Sequence, residues 1–204
     1  MKKIILLLFI GALSFNVSAQ SNSLTAGIGV WPNAKVRVQY EAGFADMHST
    51  GVNLAYYLEN WAGPRGEAFY RIYFGGDNEK GMFMQASAGA GMFSFLLDDD
   101  DLTFDYYDPA TGVTTEYDTY ESGNIWTTLG GGIALGGKMT SRGGFVFETT
   151  MGFQLWSGPP SREYSTDYDD YYIEAAADVV ETVGYYVVGP GFPIHIQMKF
   201  GFNF

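Results

Sequence analysis

Along most of the chain, apolar residues occupy every second position, and polar or small residues stand between them. The stretch from Ile194 to Phe204 keeps this pattern without a break, and only a β-strand turns a strict period of two into one apolar and one polar face. Phenylalanines crowd the end of that apolar face, so the strand would tend to aggregate if water surrounded it. The sequence therefore predicts a strand whose apolar face contacts a protein core or lipid.

Eight segments of this kind follow one another after residue 23 and predict an all-β protein. Small transmembrane barrels are built from even numbers of antiparallel strands of about ten residues each. We therefore predict an eight-stranded antiparallel up-and-down transmembrane β-barrel. The segments are 24–31, 34–44, 51–61, 67–74, 81–95, 125–138, 143–156 and 191–204.

The connections between these segments differ in length in a regular way. The second, fourth and sixth cover only 46–50, 76–80 and 139–142, whereas the fifth and seventh cover 96–123 and 157–190. Odd and even connections lie at opposite ends of an up-and-down barrel, so one end has tight turns and the other long loops, as in outer-membrane barrels. Tryptophans near the predicted loop end indicate an interfacial aromatic belt. The belt residues are Trp31, Trp61, Trp126 and Trp156.

The polar faces of the predicted strands carry charges of both signs and many small residues. Small residues suit the narrow lumen of an eight-stranded barrel, and charges sealed in a lumen have to be paired. These features favour a barrel with its apolar face outward over the alternative, a soluble lipocalin-like barrel with its apolar face inward. The predicted lumen charge network consists of Lys35, Arg37, Glu41, Glu59, Glu67, Arg71, Lys138, Glu148, His195 and Lys199.

Two pairs in this network stand at similar heights on adjacent predicted strands. Glu148 lies level with Lys199, and Lys35 lies level with Glu59, with Glu67 beside them. We expect two salt-bridged layers that plug the lumen, because side chains fill the interior of an eight-stranded barrel. The alternative is a narrow gated pore in which these pairs exchange partners.

The amino terminus has the pattern of a secretory signal peptide. Lysines precede an apolar run from Ile4 to Leu13, and Val17 to Ala19 forms a small-residue cleavage site. We expect a signal peptide over 1–19 and a barrel domain over 20–204. The chain contains no cysteine, which excludes disulfides and thiolate chemistry.

Three stretches resemble small eight-stranded outer-membrane proteins of the OmpA and OmpX type. They are EAFYRIYFGG from Glu67 to Gly76, GGGIALGGKMTSRGGFVFE from Gly130 to Glu148, and KFGFNF from Lys199 to Phe204. More narrowly, the chain is similar to an uncharacterised barrel family of Bacteroidota. The resemblance implies a place in the cell outer membrane in contact with its lipid, but no activity to transfer. The ending also resembles the signal that the barrel assembly machinery reads, which here consists of Met198, Phe200, Phe202 and Phe204.

The two long loops hold most of the acidic residues. Sixteen acids stand there against one base, Arg162, for a net charge of −15, and the rest of the precursor carries ten bases against seven acids. Such a balance excludes nucleic acid as a partner, and without EF-hand spacing no metal site is predicted. Tyrosines interleave with the acids, so these loops can recognise an extracellular basic protein or a glycan, or fold back as a strand extension. Helical spacing over 173–183 predicts a short helix at the rim.

Only two histidines are available for acid–base chemistry. His48 falls in a predicted turn, and His195 lies on a polar strand face where the neighbour two residues on is Gln197. Catalysis needs nucleophile, base and orienting group within hydrogen-bond reach, so we predict no catalytic residue and no cofactor. The predicted function is a structural or surface-recognition role in the outer membrane. The alternatives are a lipid-A-modifying enzyme built around His195, and a soluble periplasmic lipid carrier.

Overall fold

The alternating segments fold into strands, and eight of these strands close into a barrel. The computed structural model describes residues 21–29, 33–58, 60–75, 80–96, 104–108, 111–117, 121–160, 178–179 and 181–204; the predicted signal peptide over 1–19 lies outside them. The strands in chain order are β1 (Ser21–Gly29), β2 (Lys35–Ala45), β3 (His48–Tyr57), β4 (Trp61–Phe74), β5 (Gly81–Leu96), β6 (Phe104–Asp108), β7 (Val113–Tyr117), β8 (Glu121–Thr140), β9 (Phe145–Trp156) and β10 (Ile194–Asn203).

The barrel has the predicted up-and-down topology. Its strand order is β1-β10-β9-β8-β5-β4-β3-β2, and all of the pairs are antiparallel. Strands β1 and β10 close the ring, with Ser23 opposite Asn203 and Ala26 opposite Phe200. Short connections at 46–47, 75–80 and 141–144 share one end of the barrel, which we call the turn end. The opposite end, from which the long connections leave, is the loop end.

Strand β4 begins at Trp61, well before the predicted segment at Glu67. Gly63 and Pro64 interrupt the alternation of apolar and polar residues in the sequence. Proline also has no N–H to donate to a neighbouring strand, and Gly63 has a φ of 152°. The pairing with β3 nevertheless continues through both residues. The longer strand adds three inward positions near the loop end, Trp61, Gly63 and Arg65.

Side chains alternate between the inner and outer surfaces of the barrel, and the polarity is inverted relative to a soluble barrel. Buried polar and charged side chains fill the interior, as Lys35 and Arg37 do on β2, while Val36 and Val38 between and beside them are exposed. Large apolar side chains are exposed on the outer surface of every barrel strand. Examples, one from each strand, are Ile28, Val38, Leu54, Phe74, Met84, Ile133, Phe153 and Phe200.

Parts of the two long loops fold into further elements. Strands β6 and β7 form a separate hairpin in which Phe104 stands opposite Tyr117, which agrees with the strand-extension alternative for the first loop. Helix α1 covers 181–187 in the second loop, so it extends past the predicted span of 173–183. No helix in the described ranges is long and apolar enough to cross a membrane.

Candidate functional site

Arg71 of β4 is the centre of an ion network in the half of the barrel nearer the turn end. Its Nη1 lies 2.8 Å from Oε2 of Glu41, and its Nη2 lies 2.6 Å from Oε1 of Glu148. Lys199 Nζ lies 2.6 Å from Oε1 of Glu148, and Lys138 Nζ lies 3.2 Å from Oε2 of Glu41. We call these five residues the turn-side network. Each carboxylate in it is therefore shared by two cations.

Neutral side chains complete the hydrogen bonding of the turn-side network. Nε of Arg71 donates to Oε1 of Gln85 at 2.8 Å, and the Tyr73 hydroxyl donates to Oε1 of Glu41 at 2.6 Å. Buried charges that are paired and hydrogen-bonded in this way are held firmly and are costly to disturb. The network therefore links side chains of β2, β4, β8, β9 and β10 across the lumen. Its neutral partners are Ser23, Gln39, Ser49, Tyr73, Gln85 and Thr150.

A second group of charges lies nearer the loop end, with Arg65 and Glu67 at its centre. Nε of Arg65 lies 3.0 Å from Oε1 of Glu67, while its Nη2 donates to Oε1 of Gln154 at 3.3 Å. The guanidinium also lies 4.5 Å from the ring centroid of Trp156, a cation–π contact. The full group, which we call the loop-side cluster, comprises Lys35, Arg37, Arg65, Glu67 and His195.

Three members of the loop-side cluster are not ion-paired within the described part of the chain. Lys35 Nζ lies 4.9 Å from the ring centroid of Tyr57. Nη1 of Arg37 and both ring nitrogens of His195 are buried and have no hydrogen-bond partner among the described residues. The two layers of charge therefore differ: the turn-side network is saturated, and the loop-side cluster is not.

The tryptophans lie near the loop end, but the prediction of an outward-facing belt is wrong for three of them. Trp61, Trp126 and Trp156 are all buried inside the barrel. They occupy inward positions of β4, β8 and β9. Their rings pack against other side chains in the barrel mouth and do not lie on the outer surface. Trp31 lies outside the described residues. We call the buried group the mouth cluster, which consists of Tyr57, Trp61, Phe93, Phe95, Trp126, Trp156 and Tyr185.

Tyr185 of helix α1 links the second long loop to the mouth cluster. Its ring lies 6.3 Å from that of Phe93 in an edge-on arrangement, and its hydroxyl lies 3.1 Å from Oγ1 of Thr128. Burial raises the pKa of Tyr185 to about 12, so the hydroxyl stays protonated. Beyond the helix, Nη1 of Arg65 donates to the carbonyl oxygen of Pro190 at 3.1 Å. Together these contacts seat the loop in the barrel mouth.

The structure places nine of the ten predicted lumen residues inside the barrel; Glu59 lies outside the described residues. The predicted pair of Glu148 and Lys199 is present at 2.6 Å. Glu67 was predicted beside Lys35 and Glu59, and in the structure it pairs with Arg65. The sequence prediction omitted Arg65, although it stands two residues before Glu67 and so shares its face. The prediction also omitted the neutral partners, whose inward positions follow from the same alternation.

The four predicted assembly-signal residues all lie on the outer surface of β10 or just after it. They are exposed to between 52% and 70% of their surface. Their role in assembly stays a prediction. The residues concerned are Met198, Phe200, Phe202 and Phe204.

The two histidines lie in different parts of the barrel. His48 Nδ1 lies 2.7 Å from the Tyr70 hydroxyl near the turn end, and His195 is turned into the barrel. No group of three metal-ligating side chains occurs among the described residues. The interior lining is ionic near its middle, which disagrees with the alternative of an apolar carrier cavity.

Fold and interior together define a closed eight-stranded antiparallel barrel with a charged lumen and an apolar exterior. The chain matches no protein-family model and no curated protein, so the narrower resemblance to a Bacteroidota family is without support. One similar solved structure is the N-terminal β-barrel domain of Pseudomonas aeruginosa OprF, which is 12% identical over 91% of this chain and 98% of that domain, with a TM-score of 0.47. Similarity at this level says nothing about function, which has to be inferred from this chain's own residues.

Proposed function

We propose that the protein is an outer-membrane β-barrel with a closed lumen, a structural or surface-recognition role and no catalytic activity. The observation that carries this proposal is the inverted polarity of the barrel. Soluble monomers rarely expose contiguous apolar patches of more than a few hundred Å², yet here apolar side chains are exposed on all eight barrel strands. A lipid environment is the one in which such an exterior is stable.

The interior supports the same proposal. In membrane proteins, ionisable side chains face the protein interior and pair with one another, because lipid cannot solvate them. Arg71, Glu41 and Glu148 follow this rule with contacts of 2.6 to 2.8 Å. Side chains generally fill the interior of an eight-stranded barrel, and here the mouth cluster and the turn-side network are both buried in it, which favours a closed barrel over a pore.

The proposed surface role belongs to the acidic, tyrosine-rich loops at the loop end. Their charge favours a basic extracellular protein, and their tyrosines offer rigid amphipathic contact area to a protein or a glycan. The lipid-A-modifying alternative is less favoured, because His195 is 7% exposed and points into the barrel, away from any lipid. During biogenesis we expect the barrel assembly machinery to recognise β10.

Fractionation and gel mobility test the membrane assignment. The chain is expressed with its amino-terminal segment, membranes are separated, and the detergent extract is run on SDS gels with and without boiling. We expect the protein in the outer-membrane fraction, with a band that shifts on boiling because the closed barrel resists SDS. A soluble periplasmic protein without a shift would refute the proposal.

A matched pair of variants tests which surface faces lipid. Val52→Arg adds a charge to the middle of the outer face of β3, and Leu58→Arg adds one just beyond its loop end. For a lipid-embedded barrel, an arginine costs about 2–4 kcal/mol at the bilayer midplane and about 0–1 kcal/mol near the interface. Urea unfolding of the barrel in lipid vesicles should therefore show a large decrease in the free energy of unfolding for Val52→Arg but not for Leu58→Arg. Equal losses would mean that the outer face is not in lipid.

A further inference from the structure

The inner face of the barrel carries more positive than negative charge. Within the described part of the chain, six basic side chains of the barrel strands are buried there against three carboxylates of those strands, and Glu181 of helix α1 is a fourth buried carboxylate. Buried charge without an opposite partner is unfavourable, so a surplus of this kind calls for a counter-charge. The basic residues are Lys35, Arg37, Arg65, Arg71, Lys138 and Lys199, and the carboxylates of the strands are Glu41, Glu67 and Glu148.

Most of the surplus lies in the loop-side cluster, which has three basic residues and one carboxylate, whereas the turn-side network has three cations that share two carboxylates. In the turn-side network, every cation touches a carboxylate at 3.2 Å or less. In the loop-side cluster, Glu67 is the single carboxylate among the described residues, and Arg65 contacts it at 3.0 Å. Lys35 and Arg37 therefore have no carboxylate of their own in the part of the barrel that the structure describes.

Arg37 and His195 carry N–H groups for which the described residues provide no acceptor. Arg37 is 4% exposed, and its Nη1 has no partner there; His195 is 7% exposed, and neither of its ring nitrogens has one. An unsatisfied buried donor is rare in folded proteins and usually indicates a bound group or a strained site. Both residues lie within electrostatic range of Glu67, so they belong to one region of the lumen.

Glycines on β1 leave room beside the cations of β2. β1 presents Gly27 opposite Arg37 and Gly29 opposite Lys35. A Cβ atom at Gly29 would lie only 3.0 Å from Cε of Lys35, so the stem of Lys35 occupies the space that a side chain there would fill. β1 therefore offers no side-chain partner to Lys35 or Arg37 at these two positions.

We propose that Lys35, Arg37 and His195 form a binding site for a small inorganic anion inside the barrel. The guanidinium and the ammonium group supply charge and N–H donors, and the imidazole N–H supplies a further donor. The long side chains of Lys35 and Arg37 can adjust around the ion. A small ion is specified because the interior of an eight-stranded barrel is largely filled by side chains.

Thermal unfolding in two salts tests the site, with chloride as the probe. The folded barrel in an uncharged detergent is heated in sodium chloride or in sodium gluconate, whose anion is too large for the lumen. Screening of surface charge acts equally in both at the same ionic strength. Binding to the folded state should raise the unfolding temperature with rising chloride concentration beyond the effect of gluconate.

Substitutions locate the effect. Arg37→Gln should raise the chloride concentration needed for half the effect by about tenfold or more, whereas Arg142→Gln, at an exposed turn residue, should leave it unchanged. His195→Phe provides a second test if Arg37→Gln fails to fold, because the imidazole nitrogens have no protein partner to lose among the described residues. It should also weaken the chloride effect.

Three results would overturn the proposal. Equal stabilisation by chloride and gluconate would leave only screening, and an unchanged chloride effect in both Arg37→Gln and His195→Phe would place the ion elsewhere. A chloride effect that is absent in the parent and present in Glu59→Gln would show that Glu59 is the counter-charge. None of these results bears on membrane insertion, which the gel assay tests separately.

Discussion

At the residue scale, Arg71 is the side chain on which most contacts of the lumen converge. It is fully buried, bridges Glu41 and Glu148, and its Cζ lies 4.1 Å from the ring centroid of Phe83. The guanidinium is planar and carries five donors, so lysine could not make the same set of contacts. Its loss would leave two buried carboxylates with one ammonium group each.

Arg71→Ala should destabilise the barrel by about 3–5 kcal/mol, because Glu41 and Glu148 both lose a buried charged partner together with the hydrogen bonds that it donates. Urea unfolding in detergent, followed by gel mobility, measures the loss. Arg142→Ala is the control, since an exposed substitution should change stability by no more than about 0.5 kcal/mol. If the two variants unfold alike, Arg71 does not hold the lumen together.

The orientation of the tryptophans gives a second prediction at this scale. With Trp61, Trp126 and Trp156 inside the barrel, phospholipids brominated on their acyl chains should quench little of their fluorescence. Variants that retain one of the three, with the other tryptophans replaced by Phe, allow each to be measured in vesicles. The control carries a single tryptophan at Phe153→Trp, an outward position of β9, and should be quenched strongly. Strong quenching of Trp61, Trp126 or Trp156 would show that the side chain faces lipid, as the predicted aromatic belt requires.

At the element scale, alternation predicted all eight barrel strands and their inner faces, but the third segment, 51–61, ran past the end of β3 at Tyr57 and included Trp61, which begins β4. It missed the start of β4 because Gly63 and Pro64 break the pattern, and Arg65 was lost with it. The tryptophans were assigned to an aromatic belt only from their height along the barrel axis, although the alternation on β9 already puts Trp156 on the same face as Glu148. The contact of Tyr185 with Phe93 could not be predicted, because no local pattern tells where a long loop will dock.

Strand β10 and Phe204, which directly follows it, carry the proposed assembly signal. A substitution at Phe204 distinguishes an effect on assembly in the cell from an effect on folding. Phe204 is 70% exposed, and its backbone N–H donates to the carbonyl oxygen of Asn22 at 2.8 Å. Phe204→Ala keeps this bond and removes only the ring. In cells we expect several-fold less protein in the outer membrane, while refolding into detergent in vitro should match that of the parent.

Phe74→Ala is the matched control for Phe204→Ala. Phe74 is also an exposed phenylalanine near the turn end, but it lies on β4, on the opposite side of the barrel from β10. This control substitution should lower neither the amount of protein in the outer membrane nor the yield of refolding. Equal losses in the two variants would mean that the ring of Phe204 contributes lipid contact alone, without any recognition by the assembly machinery.

At the scale of the whole molecule, we propose that two seals in series close the same lumen. The turn-side network would close it by ion pairs, and the mouth cluster would close it by ring packing, with Tyr185 brought in from helix α1. The seals share no residue, and they depend on different forces. Each should therefore stop ions while the other is open.

Conductance in planar bilayers distinguishes the sealed barrel from a gated pore. The parent should pass no current, and neither Arg71→Ala nor Tyr185→Ala alone should do so, because one seal remains in each. The double variant should give small single-channel steps, provided that gel mobility shows a folded barrel. Steps in the parent would instead support exchange of ion-pair partners, with Arg71 moving between Glu41 and Glu148 as a gate opens. Steps in Tyr185→Ala alone would mean that the turn-side network does not close the lumen, and the mouth cluster would then be the only seal.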